Sequence, residues 1–255
     1  MHVSPLRSFA FGLALVAATL SAQAARAETS AELIAKNLVA RGGSEKLAAI
    51  SSVQFTGKII SPGDFELAYV ETRARKNGEA RYESSVQGMT LVQGFDGKIG
   101  WRINPFEGRR DAERMSEDDM RALADDATID GPVLSSKARG STVTYLGRED
   151  FEGTNTYKLR VADPSGVQYM YYLDPDTYLE IKVVETRKIR GARQVTLMEY
   201  SDYERVDGVY FPFAIESGAA DSTADQRQKL VIDRARANIS VDDATFAMPA
   251  APATK

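Results

Sequence analysis

From Val53 onward the apolar positions of this chain recur at every second residue. Phe65, Leu67 and Tyr69 alternate with Glu66 and Ala68, and Ile99, Trp101 and Ile103 with Gly100 and Arg102. The same period runs through Tyr157, Leu159 and Val161, then Val167, Tyr169, Tyr171 and Leu173. It continues in Leu179, Ile181 and Val183, with Glu180 and Lys182 opposed, and in Phe211, Phe213 and Ile215. Alternation of this kind sends neighbouring side chains to opposite sides of a strand, so one face of the sheet is apolar. Turn pairs such as Asn77-Gly78, Gln87-Gly88, Asp96-Gly97, Arg190-Gly191 and Asp207-Gly208 punctuate the runs. The Asn-Gly and Asp-Gly pairs supply the positive φ of tight hairpin turns. The pattern predicts an antiparallel meander of about 11–12 strands.

Two stretches change period. Thr29 with Glu32 three residues later is a capping box, and Leu33, Ile34 and Leu38 follow at helical spacing. Arg41-Gly42-Gly43 closes that helix, and Ser44 can cap a second over residues 45–50. Ser116-Glu117-Asp118-Asp119 repeats the signal. Met120, Leu123, Ala124 and Ala127 then form an apolar stripe on a helix over 117–128, ended near Asp130-Gly131-Pro132. No internal repeat or long linker divides the chain. The expectation is one domain, residues 28–248, mainly β with helices (α+β). Strands twist by about 20° each, so a sheet this wide must curl. Its apolar face becomes the inside, and the helices are available to cover it. The Ala/Pro-rich tail 249–255 is expected to be disordered.

The first 27 residues read differently. A basic start at Arg7, an apolar run from Phe9 to Leu20 and the small-x-small Ala25-Arg26-Ala27 describe a secretory signal peptide cut after Ala27. The run is shorter than the roughly 20 residues a membrane span needs. The 255-residue chain carries a net charge of −4, and its one His is His2. Residues 1–27 hold Arg7 and Arg26 and no acidic side chain, so the mature chain stands at −6, without His. With no Cys either, the mature chain excludes thiol and imidazole catalysis and Cys/His zinc sites. The expectation is a periplasmic protein that is no enzyme, holds no metal or cofactor, binds no nucleic acid and is not integral to a membrane.

The apolar face is rich in rings. A curled sheet beyond about eight strands encloses more volume than side chains easily fill. Phe65, Leu67, Tyr69, Trp101, Tyr157, Tyr169, Tyr171, Phe211 and Phe213 are the candidate ligand contacts. The single Trp101 would then report ligand entry by its emission. The alternative arrangement is a core packed solid, with 117–128 an ordinary helix on the sheet.

Asp96-Gly97-Lys98, Trp101 and Asn104-Pro105-Phe106 resemble the D-G-K-x-x-W-x-x-N-P-F stretch of the LolA/LolB-like family of lipoprotein-localisation factors. The order of signal, N-terminal helix, hairpins, motif and helical insertion is similar. Ala40-Arg41-Gly42-Gly43, Asp130-Gly131-Pro132, Tyr172-Leu173-Asp174 and Val206-Asp207-Gly208 resemble the wider outer-membrane-lipoprotein-sorting-like group. The resemblance implies an unclosed β-barrel with a helical lid. It further implies a cavity for the acyl chains of lipoproteins or lipids carried toward the outer membrane. The family's carrier has an early Arg-Pro pair whose Arg helps hold the lid. Arg75-Lys76 is the nearest equivalent, without the Pro. The lipidated Cys of the family's membrane-anchored receptor is absent.

Other features point elsewhere. Asp118-Asp119 and Asp125-Asp126 lie on the inserted helix, and Asp174-Pro175-Asp176 and Asp242-Asp243 offer oxygens without calcium-loop spacing. Arg187, Lys188, Arg190 and Arg193 flank a hairpin turn, either solvated or facing anionic headgroups or an envelope membrane-protein partner. The second functional reading is a cell-envelope interaction or sensor module with this fold and no lipid cargo.

Overall fold

A computed structural model describes residues 28–250. The signal peptide, its cleavage point and tail residues 251–255 lie outside the described residues. Thirteen strands form one antiparallel sheet. They are β1 (Ser52–Ser61), β2 (Phe65–Ala74), β3 (Glu79–Val86), β4 (Met89–Phe95), β5 (Gly100–Asn104), β6 (Arg109–Arg114), β7 (Thr142–Phe151), β8 (Thr154–Ala162), β9 (Gln168–Leu173), β10 (Glu180–Ile189), β11 (Ala192–Val206), β12 (Val209–Ala219) and β13 (Gln228–Ala237). β6, with sequence RRDAER, carries no apolar alternation and takes the outside position of an edge strand.

The spatial order is β6-β5-β4-β3-β2-β1-β13-β12-β11-β10-β9-β8-β7. β6 and β7 are therefore the two free edges, although they are consecutive in sequence. The segment between them must travel from one edge of the sheet to the other. That segment is the helical insertion: α3 (Glu117–Asp126), α4 (Gly131–Leu134) and α5 (Ser136–Arg139). The N-terminal helices are α1 (Ser30–Arg41) and α2 (Ser44–Ala49). Thr29 closes the predicted capping box on α1, and Ser116 accepts from the Asp119 amide at the start of α3.

The sheet curls, as six strand spacings and one helix show. Leu123 of α3 and Ala127 at its C-terminal cap pack with Ala80 of β3 and Phe95 of β4. Asp125, on the same helix, meets Arg187 of β10 at 3.4 Å. A flat sheet would separate β3 from β10 by about 29 Å. A ten-residue helix is about 15 Å long. The sheet has folded round until its two wings meet one short helix.

Several hairpins close on two residues with positive φ, including Gln87-Gly88, Glu152-Gly153, Arg190-Gly191 and Asp207-Gly208. This geometry matches the strand twist. The predicted alternation of β10 is broken at its start. A register irregularity between Glu180 and Lys182 leaves Glu180 opposite Leu173, so Glu180 turns inward with Val183. The concave core has two halves. One gathers Tyr157, Leu159, Val161, Tyr169, Tyr171 and Leu173. The other gathers Phe55, Tyr69, Phe211, Phe213, Ile232 and Ile129.

Candidate functional site

Between the concave face and the inserted helices lies a cavity of about 320 Å³, within the range of small-molecule sites. Its apolar wall is Phe55 of β1, Phe211 and Ile215 of β12, and Leu230 and Ile232 of β13. Ile129 and Pro132 form part of the roof. The opposite wall is polar. Local alternation explains why: the inward set of β2 that begins Phe65, Leu67, Tyr69 continues as Glu71 and Arg73. On β10 the inward positions after Val183 are Glu185 and Arg187.

These charges are paired along each strand. Arg73 Nε donates to Glu71, and Arg187 Nε donates to Glu185. Tyr69 Oη donates to Glu71 Oε2 at 2.8 Å. Arg41, from the end of α1, donates Nε to the Tyr210 carbonyl at 2.9 Å and stands 3.7 Å from Glu180. Tyr203 Oη donates to the Glu180 carbonyl at 2.8 Å. Burial pushes the phenols of Tyr69, Tyr82, Tyr171 and Tyr203 well above their usual range. They stay neutral and act as hydrogen-bonding rings.

Asp126 differs. Its side chain is open to the cavity space, yet that space is walled by protein. Burial raises its carboxyl to about 6, with Asp125 and Glu71 adding and Arg73 and Arg187 opposing.

Polar contacts fasten the insertion at both wings. Arg75, at the end of β2, donates Nη1 and Nη2 to Asp130 at 2.8 and 2.7 Å. Across the opening, Arg139 of α5 pairs with Asp125 and reaches Asp163 at 3.0 Å. The Arg190 amide donates to Asp118 at 2.7 Å.

Four expected ligand contacts, Tyr69, Tyr169, Tyr171 and Phe211, line the cavity. Phe213 and Tyr157 are buried in the core beside it, Tyr157 stacked on Tyr178 with centroids 5.7 Å apart. Phe65 and Leu67 sit at the far end of β2, and Phe65 is 47% exposed. Trp101 faces the other way. Gly100, its neighbour, touches Met120 of α3, whereas Trp101 lies against Gly94 and Arg81. Its Nε1 donates to the Phe246 carbonyl at 2.8 Å. The C-terminal segment, not a ligand, covers it. Arg187 is likewise no solvated turn residue: it is 9% exposed and points inward.

The sequence reading missed Phe55, Glu71, Arg73, Glu180 and Glu185 as wall residues. Continuing the two-residue period through β1, β2 and β10 would have found all but Glu180, which the irregularity in β10 turns inward. Among the described residues no acidic group of three or more is arranged to hold a metal ion, and no helix is long and apolar enough to cross a membrane.

No family model and no curated protein matches the sequence. Solved structures do match. An outer membrane lipoprotein-sorting protein domain from Vibrio parahaemolyticus aligns with TM-score 0.56 at 12% identity, over 84% of this chain and 94% of that one. A LolA superfamily protein from Nitrosomonas europaea aligns with TM-score 0.56 at 12% identity, over 87% and 98%. A DUF1329 family protein from Desulfovibrio piger aligns with TM-score 0.58 at 11% identity, over 87% and 98%. The chain has the fold these proteins share: one wide antiparallel sheet curled into an unclosed barrel with helices.

Proposed function

We propose that this chain is a periplasmic carrier that holds the acyl chain of a lipoprotein or lipid under the inserted helices and moves it toward the outer membrane. The observation that carries this reading is the lidded cavity. One wall is apolar, the roof is an insertion that joins the two free edges, and polar contacts fasten it. Burying an acyl chain stabilises by about 0.8 kcal/mol per CH₂. Tyr69, Tyr169, Tyr171 and Phe211 would touch the cargo. Release needs the roof to lift, and partly exposed ion pairs such as Arg75–Asp130 can break and re-form. The fold shared with lipoprotein-sorting and LolA superfamily structures supports the reading. No catalytic role is assigned: the mature chain offers neither His nor Cys.

The test uses protein purified without detergent. Organic extraction and mass spectrometry should recover lipid, and decanol should displace a solvatochromic dye from the delipidated protein. An empty extract together with no uptake of dye or decanol would sink the carrier.

A further inference from the structure

Almost every charged side chain on the cavity wall has an opposite partner. Glu71 is held by Arg73, Glu185 by Arg187, Asp125 by Arg139 and Arg187, and Glu180 lies beside Arg41. Asp126 is the exception. It makes neither a hydrogen bond nor an ion pair among the described residues, though it faces the cavity. A second polar group on the same wall is also unpartnered. The Tyr82 hydroxyl is buried and has no well-formed hydrogen bond, though the Arg73 guanidinium lies close to it, and Tyr82 lines the cavity with Asp126. A buried hydroxyl without a partner is costly. On the same wall the Asp126 carboxylate, which cavity solvent reaches and no cation pairs, completes a half-built polar site opposite the apolar wall.

We propose that the occupant is an amphiphile with a protonated amine, its ammonium on Asp126 and Tyr82 Oη and its chain against Phe55, Phe211 and Ile232. This rests on the carrier reading and names the head-group class of its cargo. An anionic head is disfavoured for a stated reason. The nearby cations, Arg73 and Arg187, already hold Glu71, Glu185 and Asp125, so the wall presents an anion with no unpaired cation among the described residues. An ammonium brings the charge the wall lacks and donates hydrogen bonds that a carboxylate and a phenol oxygen both accept.

The groups around Asp126 come from every wall: Asp125 on its own helix, Glu71 and Arg73 on β2, Tyr82 on β3, Tyr169 on β9, Arg187 on β10 and Tyr200 on β11. The tyrosines stay neutral and the arginines charged, so Asp126 is the group that changes near neutrality. Amine affinity should climb as pH rises through about 6 and then level off.

The experiment titrates decylamine, decanol and decanoate at pH 8 into the delipidated protein and into Asp126→Asn, following dye displacement. The amine should bind about tenfold more tightly than the alcohol, and the acid more weakly than either. Asp126→Asn should bring the amine level with the alcohol. Tyr82→Phe should weaken the amine about threefold. Decanoate binding as tightly as decylamine, or a preference that survives Asp126→Asn, would overturn the amine assignment while decanol binding keeps the carrier. Failure of all three ligands to bind would overturn both.

Discussion

Arg75 and Asp130 join the end of β2 to the turn before α4 through two parallel hydrogen bonds, at 2.8 and 2.7 Å. Arg75 also donates Nε to the Ile50 carbonyl and Nη2 to the Leu47 carbonyl, both at 2.8 Å. One side chain thus ties the roof of the cavity to the end of α2. The two ends of the pair should not be equivalent. Asp130→Asn keeps part of the contact and should cost about 1 kcal/mol, whereas Arg75→Met strands two carbonyls as well and should cost about 2–3 kcal/mol. Urea denaturation measures the difference. Both variants should release a cavity-bound dye several-fold faster in stopped flow, and an unchanged rate would show that this pair does not hold the roof.

Asp126 should set a pH dependence of stability. Its folded carboxyl, raised to about 6 from 3.8, binds its proton more tightly than the unfolded chain does. Stability is then fullest below about 4 and falls as pH rises through 6. Cavity solvent reaches the group, so the loss at pH 8 should be about 1 kcal/mol rather than the full shift. Asp126→Asn should raise the melting temperature at pH 8 by about 2–4 °C and leave it unchanged at pH 4.

Asp163 should do the reverse. Burial opposes its ionisation, but hydrogen bonds from Ser165, Ser141 and Arg139 outweigh it and hold the carboxyl at about 2. The stabilisation is present above about 4 and is lost as pH falls toward 2. Asp163→Asn should cost about 2 kcal/mol at pH 7. It should also flatten the acid limb of a stability–pH curve between pH 4 and 2.

Trp101 should be silent to cargo. The chain has one Trp, and it is fully buried under Phe246 on the face away from the cavity. Decanol entry should leave its emission maximum unmoved, while Phe246→Ala should shift it to the red and cost about 3–5 kcal/mol. Gly94 is part of the same packing. A Cβ there would sit 2.3 Å from the indole Cε2, so Gly94→Ala should destabilise by about 1–3 kcal/mol.

Much of this architecture was written in the period of the apolar residues. Alternation in Tyr157-Leu159-Val161 and Phe211-Phe213-Ile215 marked inward faces that the fold preserves, and Thr29 and Ser116 marked helix starts. The pattern was less informative where a strand lacks apolar residues, as in β6, or where a register irregularity swaps faces, as at Glu180. It also could not say which apolar face is which. Trp101 and Tyr69 both sit in alternating runs, yet one lies under the C-terminal segment and the other lines the cavity.

The local sequence determined strands, turns and caps, because each depends on neighbours a few residues apart. The tertiary structure decided the hollow. Curling brought β3 and β10 under one helix and set β6 and β7 as edges joined by a roof. It also turned Glu71, Arg73, Glu185 and Asp126 toward a common space. Whether an inward side chain meets a partner or open volume depends on strands far apart in sequence, and no local period carries that distance.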